Sequence, residues 1–292
     1  MTFREFWQPL RSVYPEEEAR WIGRLVFEVR YGLSQADLLM GRETTIEEAE
    51  LLELQRRLLT GEPVQYVLGE APFGEHLFMV SPAVLIPRPE TLWLCQAVVK
   101  HLTIDHSPSI LDIGTGSGCI AITIALATDE HGMNSSKVRV SPCESVAKIT
   151  AWDISTDALA IARANAERLK ADVTFEQQDI LAPPDDTDRW DVIVSNPPYI
   201  CEQEKAAMEH NVLDFEPQLA LFVPDDDPLL FYRAIGRYAF KALKPSGQLF
   251  LELNENYAHA TKELLHGMGF ADITINKDTY GKDRFIRASR TH

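Results

Sequence analysis

Ser109-Ile-Leu-Asp-Ile-Gly-Thr-Gly-Ser-Gly118 joins a short apolar run to a glycine-rich turn, and the apolar segment Cys119–Leu126 follows at once. A strand that passes through such a turn into a helix is typical of a parallel sheet with a ligand site at its carboxyl edge. The spacing differs from that of a triphosphate-binding loop and from the longer dinucleotide fingerprint. A tight turn without a ligand has a similar sequence, so the neighbouring strand ends must decide. The candidate ligand-binding residues of the turn are Gly114, Thr115, Gly116, Ser117 and Gly118.

From residue 90 onward, helical and strand-like segments alternate along the chain. This alternation predicts an α/β fold in which a mainly parallel sheet carries helices on both faces. The last two strand-like segments have no helix between them, so the final strand should enter antiparallel. The predicted helices span 90–102, 117–127, 156–170, 228–242 and 257–267, and the seven predicted strands span 109–113, 148–153, 173–177, 190–195, 248–253, 271–276 and 284–289.

The first sixty residues carry helical patterns instead. Pro15 and the three glutamates after it are typical of the first turn of a helix. An apolar stripe follows at Trp21, Leu25, Val26 and Val29, a spacing that places these side chains on one helix face. This face is expected to be the buried one.

A second helix is predicted after the capping-box pattern at Thr44 and Thr45. The chain then changes to alternating strand-like runs broken by prolines, which predicts a β-hairpin linker built from 76–80 and 83–86. Residues 129–147 are polar and serine-rich and predict a surface insertion. The expected division is an all-α domain at 1–72, a hairpin linker at 73–89 and an α/β domain at 90–292.

Composition and charge favour a globular, cytoplasmic protein. Of 292 residues, 45% are hydrophobic and 25% are charged. No apolar run approaches the roughly 18 residues of a membrane-spanning helix, and the start of the sequence lacks a signal-peptide pattern. The formal net charge of −16 penalises binding to a phosphate backbone. Neither a metal site nor a disulfide is predicted from the spacing of the cysteines, which are Cys95, Cys119, Cys143 and Cys201.

Two acids close the second and third predicted strands of the α/β region. Asp153 ends the second strand, where a carboxylate can bind a ribose diol, and Asp179 with Ile180 follows the third, at a position suited to an adenine edge. Each acid alone could be an ordinary helix cap. Together with Asp112 they place three carboxylates at successive strand ends beside one glycine-rich turn. This pattern predicts a nucleoside-binding pocket.

Ser195-Asn-Pro-Pro-Tyr-Ile200 follows the fourth predicted strand and is the stretch most informative about chemistry. The two prolines fix the loop, and the Asn196 side-chain oxygen and the Pro197 carbonyl can each accept one N–H from a planar NH₂ group. Tyr199 can stack on the flat group that carries this nitrogen. The candidate catalytic residues are Asn196, Pro197 and Tyr199, and Pro198 joins them as a candidate substrate-binding residue.

Six motifs occur in order along the chain: Gly61-Glu-Pro-Val-Gln-Tyr66, Leu85-Ile-Pro-Arg-Pro-Glu-Thr91, Asp112-Ile-Gly-Thr-Gly-Ser-Gly118, Asn196-Pro-Pro-Tyr-Ile200, Phe215-Glu-Pro217 and Gly281-Lys-Asp-Arg284. This set closely resembles the HemK/PrmC-type release factor glutamine N5-methyltransferases. The resemblance covers nearly the whole chain, from about residue 20 to the end. Two departures occur: Leu92 stands where a glutamate is expected, and residues 129–147 exceed the usual connection.

The resemblance implies a class I methyltransferase with a Rossmann-like, seven-stranded sheet and S-adenosylmethionine as cofactor. It implies that residues 114–118, Asp153, Ile180 and Asn196 line the cofactor site. It also implies that Asn196 to Tyr199 hold the glutamine of a Gly-Gly-Gln motif in peptide chain release factors, with the helical domain recognising that protein partner. No dedicated general base is required, because a methylated amide is acidic enough to lose its proton to a neighbour or to water.

Two alternative functions share parts of this pattern. Asn-Pro-Pro-Tyr also occurs in adenine-N6 DNA methyltransferases and in some guanine-N2 RNA methyltransferases, which need a basic groove for the nucleic acid. The net charge of −16 and the lack of a Lys/Arg-rich arm argue against that substrate. A non-catalytic adaptor would keep the fold, but the intact turn, strand-end acids and Asn-Pro-Pro-Tyr motif argue against it. Neither a nucleic-acid substrate nor a membrane partner is therefore expected.

Overall fold

The computed structural model describes residues 1–40, 47–102, 107–128, 147–278 and 280–291. Two sets of predictions lie outside these residues. They are the caps Thr44 and Thr45, and the insertion at 129–147, which includes Cys143, except for residue 147. The described residues of the amino-terminal part form five α-helices and a 3₁₀ helix, Gln8–Ser12, which share a core of their own around Phe6, Leu10 and Leu51. The bounds of the α-helices are Phe3–Trp7 (α1), Glu16–Tyr31 (α2), Gln35–Leu39 (α3), Glu48–Leu58 (α4) and Val64–Leu68 (α5).

Helix α2 begins directly after Pro15 and ends at Gly32, whose φ of 67° is readily adopted by glycine. The buried face of this helix differs from the predicted stripe. Ile22, Val26 and Phe27 are buried, whereas Trp21 is 43% exposed. The predicted helix is confirmed and Val26 of its stripe is buried, but Trp21 lies outside the buried face because Ile22 and Phe27 complete that face.

A short hairpin connects the helical part to the α/β part. Strand β1 (Glu70–Phe73) pairs antiparallel with β2 (His76–Met79) across a two-residue turn that contains Gly74, with φ of 60°. The predicted strand at 83–86 does not form. Pro82 and Pro87 flank that segment and cannot donate to a strand ladder. Val84 and Ile86 are instead buried in a small cluster with Tyr66.

One buried asparagine fastens this hairpin to the α/β part. Asn165 is 0% exposed and lies in helix α8, which spans Thr156–Leu169. Its Oδ1 accepts the Met79 amide N–H at 2.6 Å, and its Nδ2 donates to the carbonyls of Met79 and Ser117 at 3.0 and 2.9 Å. The same side chain therefore binds the backbone of the hairpin and that of the glycine-rich turn.

The α/β part contains a seven-stranded sheet with the order β10-β11-β9-β6-β3-β4-β5. Strands β5, β4, β3, β6 and β9 run parallel, and β11 lies antiparallel between β9 and β10. The predicted antiparallel entry of the last strand is confirmed. The strand bounds are Ser109–Ile113 (β3), Lys148–Asp153 (β4), Val173–Gln177 (β5), Trp190–Ser195 (β6), Leu243–Glu252 (β9), Phe270–Lys277 (β10) and Asp283–Arg290 (β11).

Helices cover both faces of this sheet, as predicted. Along β3 and β6, neighbouring residues alternate between two cores: Ile110 and Val194 join one, and Leu111 and Ile193 join the other. The remaining helices are Thr91–His101 (α6), Cys119–Thr128 (α7), His210–Phe215 (α9), Gln218–Leu221 (α10), Leu230–Ala242 (α11) and Ala258–Gly267 (α12), and a separate two-residue pair joins Ile200–Cys201 (β7) to Phe222–Val223 (β8).

The strand order reverses at β3. The chain continues from β3 to β4 and β5 on one side and then returns to place β6 on the other side. A crevice forms outside the carboxyl ends of the strands at such a switch point. The carboxyl ends of β3 and β6, with the turn and the loop that follow them, consequently lie side by side.

Candidate active site

The glycine-rich turn after β3 exposes its backbone to a cavity. Gly114, Gly116 and Gly118 have φ of 72°, 54° and 82°, values that side chains with a Cβ rarely adopt. A Cβ on Gly114 or Gly116 would meet no atom within 4 Å, whereas one on Gly118 would lie 2.9 Å from the Ile122 side chain. The first two glycines therefore leave open space beside the backbone, and Gly118 permits close packing of the following helix.

Asp112, near the end of β3, stabilises this turn through hydrogen bonds. Its side chain is 0% exposed, and Oδ2 accepts the Thr115 hydroxyl at 2.6 Å and the Ala121 amide N–H at 3.3 Å. Burial raises the pKa of Asp112 to about 7, although both hydrogen bonds lower it. Of the three strand-end carboxylates predicted to surround a nucleoside, this one does not line the cavity. It shapes the turn instead.

Asp153 binds the same turn from the end of β4. Its Oδ2 accepts the Gly116 amide N–H and its Oδ1 accepts the Ser155 amide N–H, both at 2.9 Å. Burial raises the pKa of Asp153, and these backbone hydrogen bonds act in the opposite direction. Beyond β5, Asp179 Oδ1 accepts the Leu181 amide N–H at 2.8 Å. Asp153 and Asp179 are both partly exposed and line the cavity.

The loop after β6 reaches the cavity from the other side of β3. The buried Ser195 hydroxyl donates to the Ile113 carbonyl at 2.7 Å and so joins the two strand ends. The next residues, Asn196, Pro197 and Pro198, line the cavity. The first cavity has a volume of about 240 Å³. Of the predicted site residues it brings together Gly114, Thr115, Gly116, Ser117, Asp153, Asp179, Ile180, Asn196, Pro197 and Pro198, but not Gly118 or Tyr199.

A second cavity, of about 290 Å³, adjoins the first. Tyr199 lines this second cavity, and Asn196, Pro197, Leu85 and Arg88 line both. The Asn-Pro dipeptide therefore belongs to both cavities. Of the predicted substrate-binding residues, Asn196 and Pro197 line both cavities, Pro198 lines the first and Tyr199 lines the second.

Three residues near the loop are not predicted as site residues by the sequence. Thr91 is 2% exposed and lines the first cavity, whereas Glu252 is 5% exposed and lines neither cavity. The two side chains are hydrogen-bonded to each other at 2.7 Å and contact Asn196 and Tyr199, respectively. Burial raises the pKa of Glu252 to about 7. Glu252 closes β9, so the rule that carboxyl ends of parallel strands share one edge could have identified it. The third residue is Glu216, and only the tertiary structure identifies it as a residue near the site.

Glu216 holds the linker segment over the cavities. Its Oε1 accepts Arg88 Nη2 at 2.6 Å, and its Oε2 accepts the Ile86 amide N–H at 3.2 Å. The Glu216 side chain is 1% exposed and that of Arg88 is 33% exposed. Leu92, which departs from the expected glutamate, packs against the core below and contacts the Gly74 turn of the hairpin.

We expect Arg88→Ala to lower the free energy of unfolding by about 1–3 kcal/mol, because the buried Glu216 carboxylate loses its charged partner and keeps only the Ile86 N–H. Urea denaturation measures this loss. Arg168→Ala is the matched control, because the Arg168–Glu70 pair is more exposed and such pairs contribute about 0–1 kcal/mol. Equal losses for the two variants would contradict the assigned role of the Arg88–Glu216 pair.

Membrane-spanning helices and metal-binding clusters are both absent from the described residues. No helix among them is both long and apolar enough to cross a membrane. No group of three or more His, Cys, Asp or Glu side chains among them could hold a metal ion. Of the cysteines that the structure describes, Cys95, Cys119 and Cys201 are free thiols.

The first cavity has the features that S-adenosylmethionine requires. Open space beside the backbone of Gly114 and Gly116 accommodates close approach, the Asp153 carboxylate offers acceptors to a diol, and Ile154 and Ile180 supply apolar surface to a base. The sheet order, the turn and the cavity define a class I S-adenosylmethionine-dependent methyltransferase. Residues 104–278 match the family described as a methyltransferase domain, and residues 4–69 match the PrmC N-terminal domain.

Curated relatives match almost the full chain. The release factor glutamine methyltransferase of Bacteroides thetaiotaomicron is 42% identical over 97% of this chain and 97% of its own length. That of Flavobacterium psychrophilum is 38% identical over 98% and 96%. The chain belongs to the release factor glutamine methyltransferase family. Among solved structures, the release factor-specific protein-(glutamine-N5) methyltransferase of Alicyclobacillus acidocaldarius covers 74% of this chain and 100% of that one, with 29% identity and a TM-score of 0.40.

Proposed function

We propose that this protein transfers a methyl group from S-adenosylmethionine to the side-chain amide nitrogen of a glutamine in a peptide chain release factor. The target is the glutamine of a Gly-Gly-Gln motif. The observation that carries the proposal is that Asn196 and Pro197 line both cavities. An NH₂ group that binds these two residues from the second cavity would lie next to S-adenosylmethionine, the methyl donor, in the first cavity.

The reaction requires alignment more than it requires a base. An amide nitrogen is a poor nucleophile because its lone pair is delocalised into the carbonyl. Bound S-adenosylmethionine supplies an electrophilic methyl group. Holding the nitrogen in line with that group can contribute up to ~7–11 kcal/mol to the lowering of the barrier.

Asn196 and Pro197 provide this alignment with two acceptors. The Asn196 Oδ1 and the Pro197 carbonyl each accept one N–H of the planar NH₂ group and so fix its plane. Positive charge develops on the nitrogen as it gains a methyl group, so these hydrogen bonds strengthen in the transition state. The extra proton then leaves for a neighbouring acceptor or water.

The site residues take the following roles in this proposal. Gly114 to Ser117 present backbone to the cofactor, with Gly118 maintaining the turn. Asp153 binds the ribose, and Asp179 with Ile180 binds the adenine. Tyr199 bounds the space for the glutamine side chain in the second cavity.

The amino-terminal helices, within residues 1–72, are proposed to recognise the folded partner. They carry no residue of either cavity, have their own core and are joined to the α/β part through the linker at 73–89. The net charge of −16 supports a protein partner over nucleic acid or an anionic membrane surface. A cytoplasmic location belongs to the same proposal.

A methyl-transfer assay with labelled S-adenosylmethionine tests this function. The substrates are purified release factor, a release factor variant in which alanine replaces the glutamine of the Gly-Gly-Gln motif, a short Gly-Gly-Gln peptide and duplex DNA. We expect label only in substrates that contain the glutamine, with kcat/KM at least about tenfold higher for the folded factor than for the peptide, because remote contacts are absent from the peptide. Labelling of the Gln→Ala variant or of DNA would contradict the proposal.

A further inference from the structure

A chain of hydrogen bonds runs from Asn196 to a buried carboxylate that the mechanism above does not use. Asn196 Nδ2 donates to Thr91 Oγ1 at 3.4 Å, and Thr91 Oγ1 donates to Glu252 Oε2 at 2.7 Å. On the other side, the Tyr199 hydroxyl donates to Glu252 Oε1 at 3.1 Å. Thr91 and Glu252 are 2% and 5% exposed, and the bond between them is buried.

The single hydroxyl hydrogen of Thr91 sets the direction of this chain. An ionised carboxylate only accepts hydrogen bonds, so the Thr91 hydrogen points at Glu252. The lone pairs of Thr91 Oγ1 then face Asn196 and accept from its NH₂ group. A flipped amide would place the Asn196 oxygen against these lone pairs. The Asn196 oxygen is therefore directed away from Thr91, where it is available to a substrate N–H.

We propose that Glu252 is a positioning residue which, through Thr91, holds the Asn196 amide in the orientation that accepts a substrate N–H. Its second bond, to Tyr199, restrains the far side of the same loop. Glu252 lines neither cavity, so it acts only through these neighbours. The inference rests on the proposed function, because it concerns how the acceptor for the glutamine nitrogen is aimed.

Protonation of Glu252 would reverse this arrangement. A protonated carboxyl donates to Thr91, and the Thr91 hydrogen is then released toward Asn196, where it favours the flipped amide. The protonated form dominates below the pKa of the carboxyl. Hence kcat should be constant at high pH and should fall as the pH decreases through that pKa.

The groups around Glu252 determine the pH at which its carboxyl becomes protonated, which is near neutral. Burial raises its pKa to about 7, the hydrogen bonds from Thr91 and Tyr199 lower it, Glu90 raises it and Arg284 lowers it. Burial also raises the pKa values of the neighbouring thiols and phenols, which stay neutral in this range. The titratable and charged groups around Glu252 are Glu90, Cys95, Cys119, Tyr199, Tyr232 and Arg284.

Two substitutions of Glu252 test the proposal in the full-length protein. Glu252→Gln does not titrate, so kcat should lose its decline at low pH. Glu252→Met keeps the approximate volume but removes both acceptors, so kcat should fall at least about tenfold at all pH values, while the Kd for S-adenosylmethionine stays within about threefold. Asp112 also has a pKa raised to about 7, and the Gln variant decides which carboxyl causes the decline.

Substitutions of the two neighbours provide an independent arm. Thr91→Ser retains the hydroxyl and should keep kcat within about threefold of wild type, whereas Thr91→Val should lower kcat at least about tenfold. Tyr199→Phe removes a hydrogen bond that lowers the pKa of Glu252, so the decline in kcat should begin at higher pH. Tyr232→Phe is the matched control, because its hydroxyl accepts the Asn254 amide N–H and does not bond to Glu252.

The outcomes are distinct. Wild-type protein that fails to methylate release factor refutes the proposed function and leaves the contacts of Glu252 unaffected. With active wild type, an unchanged decline in Glu252→Gln, or equal kcat for Thr91→Val and Thr91→Ser, overturns the positioning role. Melting curves and cofactor Kd values identify variants that fail to fold. If the Glu252 variants fail to fold, the Thr91 pair and Tyr199→Phe decide whether the positioning role stands.

Discussion

Asn196→Ala should lower kcat for methyl transfer by roughly 10²–10³-fold, the loss that accompanies removal of one well-placed transition-state hydrogen bond. In the proposed mechanism, the side-chain oxygen of Asn196 accepts a hydrogen bond from the substrate nitrogen, and this bond strengthens as the methyl group transfers. Because the other residues that line the first cavity are unchanged in this variant, the Kd of S-adenosylmethionine should change by less than about tenfold. Initial rates with saturating release factor and calorimetric titration of S-adenosylmethionine measure the two quantities.

Asn276→Ala serves as the control for this experiment. Asn276 lies in β10, at the edge of the sheet, and its amide donates only a local hydrogen bond to the Thr274 carbonyl at 3.3 Å. Its kcat should match that of the wild type. A kcat for Asn196→Ala within a few-fold of wild type would remove Asn196 from the catalytic role proposed for it.

Asp153→Ala should weaken the binding of S-adenosylmethionine by ~1.5–3 kcal/mol, the scale of hydrogen bonds to a charged group. The ribose would lose its hydrogen bonds to the carboxylate, and the Gly116 amide N–H in the glycine-rich turn would lose its acceptor. Titration calorimetry measures the change. Asp172→Ala is the control, since Asp172 is exposed and lines neither cavity. An unchanged isotherm for Asp153→Ala would exclude Asp153 from the cofactor site.

Most of the α/β part could be predicted because each strand is bounded by local signals. The strands predicted at 109–113, 148–153 and 190–195 have those same bounds in the structure. The principle that parallel strand ends share one edge then brought Asp153 and Asn196 to one place without any knowledge of the tertiary structure. The shared location of these two side chains could therefore be predicted from the spacing of the strands along the sequence.

The errors occurred where the partner is distant in sequence or chosen by burial. The hairpin pairs 70–73 with 76–79 and not 76–80 with 83–86, because Gly74 permits a two-residue turn whereas prolines flank the segment 83–86. Asp112 was grouped with the pocket acids because a strand-end position does not reveal which way a side chain points. Arg88 and Glu216 are separated by 128 positions, and nothing local in either motif indicates their pairing.

The hydrogen bonds of Asn165 limit which side chain that position accepts. Both amide hydrogens and the oxygen are in use, with partners on two separate segments. Aspartate has an acceptor but no donors, leucine has the shape without either, and glutamine places the amide one methylene farther out. Position 165 thus carries a requirement for one particular residue although it lies in neither cavity. Invariance there would reflect assembly of the turn and hairpin and would be a false lead in a search for catalytic groups.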